Sequence, residues 1–277
     1  MKDNGLLVQY FNANTPADQT LWAKAVKDAA TLKKLGATAV WFPPATKGAA
    51  GKDDRGYAPY DLYDLGEFNQ KGSVGTRYGT KKEYLEAIDA MKAQGINVYA
   101  DIAVRQKLGA DSVEKVTAAD FNAKDIPQMI GNKKIVGALS KFTFPGRKSK
   151  YSKFKWNWNH FAGIDWQQDD FKRRVCELSG MTEMEAEKKY KLSKYDYIIG
   201  SELDLYNQEV YDELMAWAKW YEDVTGVDGF RFQEAEKIPG WFIRDFAEAA
   251  SNAGEEEKEI FTVGDFWHWR CDYINDY

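Results

Sequence analysis

Hydrophobic and polar positions alternate with two different periods along this chain. Five short apolar runs have the length and composition of buried strands, at residues 6–11, 37–42, 96–104, 227–232 and 260–266. Four segments with apolar side chains at helical spacing lie between them, at residues 21–35, 80–95, 207–223 and 241–250. Because parallel neighbours need a crossover connection that is usually a helix, this order predicts a parallel sheet in an α/β fold.

Residues 107–203 interrupt the alternation. They are polar, irregular in pattern and rich in lysine and aromatic side chains, and they are too long for a loop within a compact barrel. We predict that they form an inserted subdomain, and that residues 1–106 and 204–277 form the first and second parts of a (β/α)8 barrel. Such a barrel needs eight strands in about 250 residues without insertions. Nearly a hundred residues of this chain belong to the insertion, so the strand pattern ends at the fifth strand.

Charge and composition exclude several classes of function. The net charge is −5, which argues against a protein that follows nucleic-acid phosphates, and no apolar run approaches the ~20 residues that span a bilayer. The first residues lack the features of a signal peptide, so we expect a cytoplasmic location. Two cysteines and two histidines support neither a disulfide framework nor a histidine-rich metal site.

Aromatic side chains make up 15% of the chain. This content has two interpretations that composition does not separate. The side chains either fill the core or form a surface that stacks on flat ligands such as sugar rings.

Polar residues collect where the predicted strands end, which is where parallel barrels carry their functional groups. They are Tyr57, Asp101, Arg105, Gln106, Arg231, Gln233, Glu234, Asp265, Trp267 and His268. The two-residue period of a strand places Arg231 and Gln233 in the mouth of the barrel and the neighbouring phenylalanines against the helices. Arg231 and Asp101 could equally form a structural ion pair, and Tyr57 could be a packed loop residue. For Asp265, a structural role and a strand-end acid with a raised pKa both stay open.

A long motif follows the second strand. Residues 56–80 read GYAPYDLYDLGEFNQKGSVGTRYGT and resemble the corresponding region of bacterial liquefying-type alpha-amylases of glycoside hydrolase family 13. Further segments agree in order and spacing: VQYFN, TAVWFPPATKG, FPGRKSKYSKFKWNWNHFAGIDW, YDYIIGSELDL, DGFRF and FTVGDFW. The resemblance covers essentially the whole chain. It implies a (β/α)8 barrel with an insertion after strand three, and an α-1,4-glucan or maltooligosaccharide that is cleaved with retention.

The departures from the family pattern fall on the chemistry. The resemblance puts the family's nucleophilic aspartate at Gln233 and its acid/base glutamate at Asp265. An amide is a poor nucleophile, and an aspartate is one methylene shorter than the glutamate it replaces. The family's orienting arginine is kept as Arg231, and the substrate-binding positions are held by Tyr57, Asp101, Gln106, Lys237 and Trp267. We therefore expect a pseudoenzyme in which hydrolysis is absent or very weak.

Two other carboxylates could replace the missing nucleophile. Glu234 points to the opposite face of its strand from Gln233 unless a bulge intervenes, and Glu236 would have to reach in from the following loop. We expect loss of hydrolysis rather than replacement of the nucleophile by either glutamate.

The resemblance also implies a calcium ion between the barrel and the insertion. The positions that match its ligands are Asp165, Asp196, Glu202 and Asp204. Arg105 stands where the family has a metal-binding asparagine, and its guanidinium opposes a cation by charge. Calcium binding is therefore expected to be weak or absent.

Two alternatives to a weak hydrolase stay open. The chain could be a non-catalytic α-glucan-binding protein. It could also be complete only with a partner or as an oligomer, because a five-stranded parallel sheet has two edges where a closed barrel has none.

Overall fold

The fold contains thirteen strands and four α-helices in the part of the chain that the computed structural model describes, which is residues 5–121, 129–169, 172–178, 199–254 and 258–266. In chain order the strands are β1 (Leu7–Gln9), β2 (Ala39–Phe42), β3 (Lys47–Gly48), β4 (Pro59–Asp61), β5 (Asn97–Ile102), β6 (Gln106–Lys107), β7 (Ser112–Phe121), β8 (Met129–Lys141), β9 (Phe161–Gln167), β10 (Lys172–Glu177), β11 (Ser201–Leu203), β12 (Gly229–Phe232) and β13 (Phe261–Gly264). The helices are α1 (Leu21–Lys34), α2 (Lys81–Ala93), α3 (Gln208–Thr225) and α4 (Gly240–Ser251).

Five parallel strands form the sheet that the sequence predicts, in the order β1-β2-β5-β12-β13. The pairing register places Trp41 beside Tyr99, and it places Asp101, Arg231 and Val263 side by side on three adjacent strands. Each predicted strand and helix of this part is present, with ends that differ by a few residues. The result is five strands of a (β/α)8-type barrel.

The outer face of this sheet carries the main core. Phe230 and Phe232 are fully buried against Phe246 of α4, at ring-centroid distances of 5.2 and 5.3 Å. Trp22 of α1 packs on Tyr84 of α2 at 4.7 Å. Burying one such side chain contributes about 2 kcal/mol, so these helices are held mainly by their contact with the sheet. No helix in the described ranges is long and apolar enough to cross a membrane.

The inner face of the sheet forms one wall of a cleft. Trp41, Tyr99, Arg231 and Val263 line a cleft of about 180 Å³ along it. Tyr99 stacks on Phe261 at 4.6 Å across Gly229, where a Cβ atom would lie 2.3 Å from the carbonyl oxygen of Phe261. The glycine is therefore required by the close approach of strand β13.

Residues 107–203, which the sequence predicts to be an irregular insertion, contain most of a second sheet. Its six strands pair antiparallel in the order β6-β11-β9-β10-β7-β8, and β7 and β8 form a long hairpin. The hydrophobic pattern does not predict these strands, and the bounds of the three predicted domains stay a prediction. Strand β6 begins four residues after β5 ends, so this sheet starts at the carboxyl edge of the parallel sheet.

Helix α2 begins with the capping box that the sequence predicts. The Thr80 hydroxyl accepts a hydrogen bond from the Glu83 amide at 3.4 Å, and the Glu83 carboxylate accepts one from the Thr80 amide at 2.8 Å. Thr20 holds the equivalent position before α1, but its side chain makes no capping bond.

We predict that Thr80→Ala lowers the free energy of unfolding by about 1 kcal/mol, because the Glu83 amide in the first turn loses the hydroxyl that caps it. Thr20→Ala is the matched control and should change it by less than half as much. Urea unfolding followed by circular dichroism measures both values. Equal losses in the two variants would contradict the assignment of a capping box.

Candidate active site

The centre of the candidate site is Arg231, which strand β12 places on the inner face of the sheet. One guanidinium nitrogen donates to Asp101 on strand β5 at 3.0 Å, and the other lies 2.6 Å from a carboxylate oxygen of Asp265, just after strand β13. The guanidinium also lies over the ring of Trp41, with 4.7 Å to the ring centroid. Four strands thus contribute to one contact group, because the register brings their carboxyl ends together.

Asp101 is the buried member of this group, and it is hydrogen-bonded to the loop after the second strand. The Tyr57 hydroxyl donates to it at 2.6 Å, and the Gln106 side-chain amide donates to the Tyr57 carbonyl at 3.2 Å. Burial raises the pKa of Asp101 to about 6, although Arg231 and Tyr57 oppose the rise. Burial and the neighbouring Asp101 also raise the pKa of the Tyr57 phenol above its ordinary range.

Asp265 is held on both sides. One carboxylate oxygen pairs with Arg231, and the other accepts a hydrogen bond from the backbone amide of Glu234. Glu234 adopts the left-handed conformation, with φ of 51°, which is uncommon for a residue other than glycine. The turn at Glu234 therefore aims its amide at Asp265.

Gln233 occupies the strand end directly before that turn. Its backbone amide donates to the Ile102 carbonyl at 3.1 Å, and its side-chain oxygen is buried without a hydrogen-bond partner among the described residues. One carboxylate oxygen of Glu236 is likewise buried and unpartnered within those residues. Burial raises the pKa of Glu236, and the nearby Asp265 and Glu234 add to the rise.

A second group of charges lies beside the first. Arg105 is 3% exposed and donates to both oxygens of Glu202, at 2.7 and 2.6 Å, and to Glu234 at 2.6 Å. Lys237 also donates to Glu234. Burial raises the pKa of Glu202 to about 7 against the effect of Arg105. Burial also acts to raise the pKa of Glu234, but the bonds from Lys237 and Arg105 outweigh it and lower that pKa.

The described residues do not fit the calcium ion that the resemblance implies. No group of three or more acidic, histidine or cysteine side chains among them could hold a metal ion. Both oxygens of Glu202 are bound by Arg105. Asp165 lies in strand β9 and Asp204 directly follows strand β11, where their backbone amides donate to the carbonyls of Gly200 and His160. Three residues singled out from the sequence, Asp196, Trp267 and His268, lie outside the described residues.

The structure thus brings most predicted strand-end residues into two adjacent groups. The first contains Tyr57, Asp101, Gln106, Arg231 and Asp265, with Gln233 at its edge. The second joins Arg105, Glu202 and Lys237 through Glu234. The sequence does not predict that Glu234 lies between the two groups. Glu234 itself adopts a left-handed conformation, which turns its side chain away from the strand face.

Comparison with known proteins relates the whole chain to one group. No family model matches it. An alpha-amylase from Geobacillus stearothermophilus is 43% identical over 276 residues, which is 99% of this chain and 50% of that protein. The cytoplasmic alpha-amylase of Escherichia coli is 35% identical over 278 residues, which is 99% of this chain and 56% of that protein. The chain therefore spans about half the length of the curated relatives it matches, and its own cytoplasmic location stays a prediction.

Solved structures agree on the fold. A crystal structure of an alpha-amylase from Geobacillus thermoleovorans, complexed with acarbose, matches with a TM-score of 0.57 and 16% sequence identity. The match covers 98% of this chain and 48% of that chain. At this identity the likeness concerns the fold alone, and it agrees with a parallel sheet that comprises part of a (β/α)8 barrel. Together with the sequence relatives, it confirms the predicted resemblance to alpha-amylases.

Asp101 should give the protein a specific pH dependence. Its pKa is about 6 in the folded state and near 3.8 when unfolded, so its contribution to stability is complete below about pH 4 and is lost as the pH rises through 6. We predict that the free energy of unfolding of the protein, minus that of Asp101→Asn, falls by up to about 3 kcal/mol between about pH 4 and pH 7. Urea titrations across this range measure the difference. Parallel curves would contradict the prediction.

Proposed function

We propose that this chain, a homologue of bacterial alpha-amylases over about half of their length, binds α-1,4-glucans at the carboxyl end of its parallel sheet and hydrolyses them very weakly or not at all. The observation that carries the proposal is the state of Asp265. Both of its oxygens already accept contacts, one from Arg231 at 2.6 Å and one from the Glu234 amide.

Retaining hydrolysis needs one carboxylate that attacks the sugar and one carboxylic acid that protonates the leaving oxygen, about 5 to 5.5 Å apart. The position of the nucleophile holds Gln233, whose amide carries no negative charge and attacks poorly. An amide also cannot stabilise positive charge at the anomeric carbon. The first half of the double displacement therefore has no suitable group at this position.

The position of the acid has a different defect. A general acid must carry a proton toward the leaving group. Asp265 instead faces a guanidinium and a backbone amide, and both of these donate hydrogen bonds to a carboxylate. Because Arg231 occupies one oxygen of Asp265 and the Glu234 amide occupies the other, Asp265 is poorly placed to donate a proton.

The neighbouring glutamates do not replace these groups in the same way. Glu234 is bound by Arg105 and Lys237, so its carboxylate is turned away from the inner face of the sheet. Glu236 keeps a buried oxygen without a partner in the described ranges and a raised pKa. It is the first residue to replace if residual hydrolysis is found.

The features that would hold a glucan are better preserved than the reacting groups. Tyr57 is fixed at its hydroxyl by Asp101 and at its carbonyl by Gln106, so its ring is positioned before any ligand arrives. A rigid aromatic ring beside hydrogen-bonding side chains is suited to one face of a sugar. These contacts support binding without requiring a complete catalytic pair.

Hydrolysis is tested by restoring the two carboxylates. We predict that the protein releases little or no product from maltoheptaose, whereas the double variant Gln233→Asp, Asp265→Glu gains at least about 100-fold in rate, since placement errors of about 1 Å cost that much. Product-resolved chromatography after long incubation measures both, with Asp265→Ala as the control. Shorter oligosaccharides from the unaltered protein that vanish in Asp265→Ala would overturn the proposed loss of catalysis.

Binding is tested separately. We predict saturable affinity for maltoheptaose, which Tyr57→Ala weakens by about tenfold because a stacking ring is worth on the order of 1 kcal/mol. Tyr57→Phe keeps the ring and removes only the hydroxyl that donates to Asp101, so it should bind nearly as well. Isothermal titration calorimetry gives the affinities. No saturable binding by the folded protein would contradict this half of the proposal.

An alternative function follows from the inner face of the sheet. On the two edge strands, Leu7 and Phe261 are 44% and 46% exposed, although both are large apolar side chains. Exposed edges of this kind favour further pairing. We infer as the second candidate that additional polypeptide, from a partner or a second copy, covers this face, and that the chain acts in glucan metabolism only as part of that assembly.

A further inference from the structure

We propose that the Arg105 guanidinium acts as a built-in cation that joins the antiparallel sheet to the strand-end turn of the parallel sheet, in the place where a calcium ion would otherwise serve. The inference rests on the misfit between this chain and a metal ion, and it does not depend on the proposed function.

The contacts of Arg105 join segments that are distant in the sequence. The carboxylates that Arg105 binds come from two separate parts of the fold, since Glu202 belongs to strand β11 and Glu234 to the turn after strand β12. They lie 97 and 129 residues away along the chain. Three bonds of 2.6 to 2.7 Å from one planar group are strong, charge-assisted contacts. One side chain thus links three segments that are distant in sequence.

The charges around Arg105 balance one another without a metal ion. The group contains two cations, Arg105 and Lys237, and two carboxylates, Glu202 and Glu234. A divalent cation added here would face a buried guanidinium, and the carboxylates that could bind it are already neutralised. A hard cation needs several oxygen ligands, and Arg105 already occupies three carboxylate oxygens of this group.

Glu234 connects Arg105 to Asp265. The side chain of Glu234 binds Arg105 while its backbone amide binds Asp265. Because one residue makes both contacts, fixing its side chain also fixes the left-handed turn that aims the amide. Arg105 is therefore a positioning residue for Asp265 and does not itself reach the inner face.

The test removes the guanidinium and asks whether a metal can replace it. We expect the unaltered protein to melt at the same temperature in EDTA and in calcium chloride. Arg105→Ala should melt about 10 °C lower in EDTA, because a buried carboxylate pair loses its cation. Millimolar calcium should then restore at least half of that loss in this variant. Terbium luminescence provides a second readout, with binding expected only in Arg105→Ala.

Arg147→Ala is the matched control. Arg147 is 2% exposed and pairs with a buried acid, Asp61, at 2.8 Å, but it lies outside the Arg105 group. Its variant should lose comparable stability in EDTA and gain nothing from calcium. Arg105→Lys keeps the charge, and it should keep more stability than Arg105→Ala while remaining insensitive to calcium.

Two results would overturn the proposal. The first is a melting temperature of the unaltered protein that rises by many degrees in calcium. The second is an Arg105→Ala variant that calcium stabilises no more than it stabilises Arg147→Ala. Arg105→Lys decides the outcome if Arg105→Ala does not fold in either buffer. The proposal is then sustained when Arg105→Lys folds and calcium changes the melting temperature of neither Arg105→Lys nor the unaltered protein. Any other result in that case contradicts it.

Discussion

The contact on which the candidate site depends is the shared ion pair of Arg231 with Asp101 and Asp265. A single guanidinium connects strands β5, β12 and β13 at their carboxyl ends, at distances of 2.6 to 3.0 Å. Removing the guanidinium from such a buried group costs about 3 to 5 kcal/mol, because two carboxylates then lose their counterion. The site is thus tied to the stability of the sheet itself. Any chemistry at these strand ends has to accommodate a cation that is already used twice.

This constraint gives a physical reason why glutamine is tolerated at position 233. Around Arg231 there are two acids for one guanidinium, and burial already raises the pKa of Asp101 to about 6. A third carboxylate at position 233 would add negative charge that Arg231 could not balance. An amide needs no counterion, and the buried oxygen of Gln233, which has no partner among the described residues, costs about 1 to 3 kcal/mol, much less than an unbalanced charge.

How much could be predicted differs between the two sheets and between the two charge groups. The parallel sheet follows from apolar runs and helical spacing, and the two-residue period places Arg231 inward and Phe230 outward. The antiparallel sheet does not follow, because charged side chains interrupt the apolar pattern of its strands and because three of its five strand pairs, β6-β11, β9-β11 and β7-β10, join segments distant in sequence. From the sequence, Arg105 is expected only to oppose a metal ion. Its bond to Glu234, 129 residues away, depends on a left-handed turn that no residue type in the sequence marks.

A carboxylate that attacks a sugar or protonates a leaving oxygen needs an oxygen that can reach the substrate. In this chain the opposite arrangement prevails. Asp265 is bound by Arg231 and a backbone amide, Glu202 is bound by Arg105, and Glu234 is bound by Arg105 and Lys237. Contacts of this kind leave the carboxylates little freedom to reach a sugar. The same interactions that hold the strand ends together therefore support the proposal that the chain binds glucans and hydrolyses them very weakly or not at all.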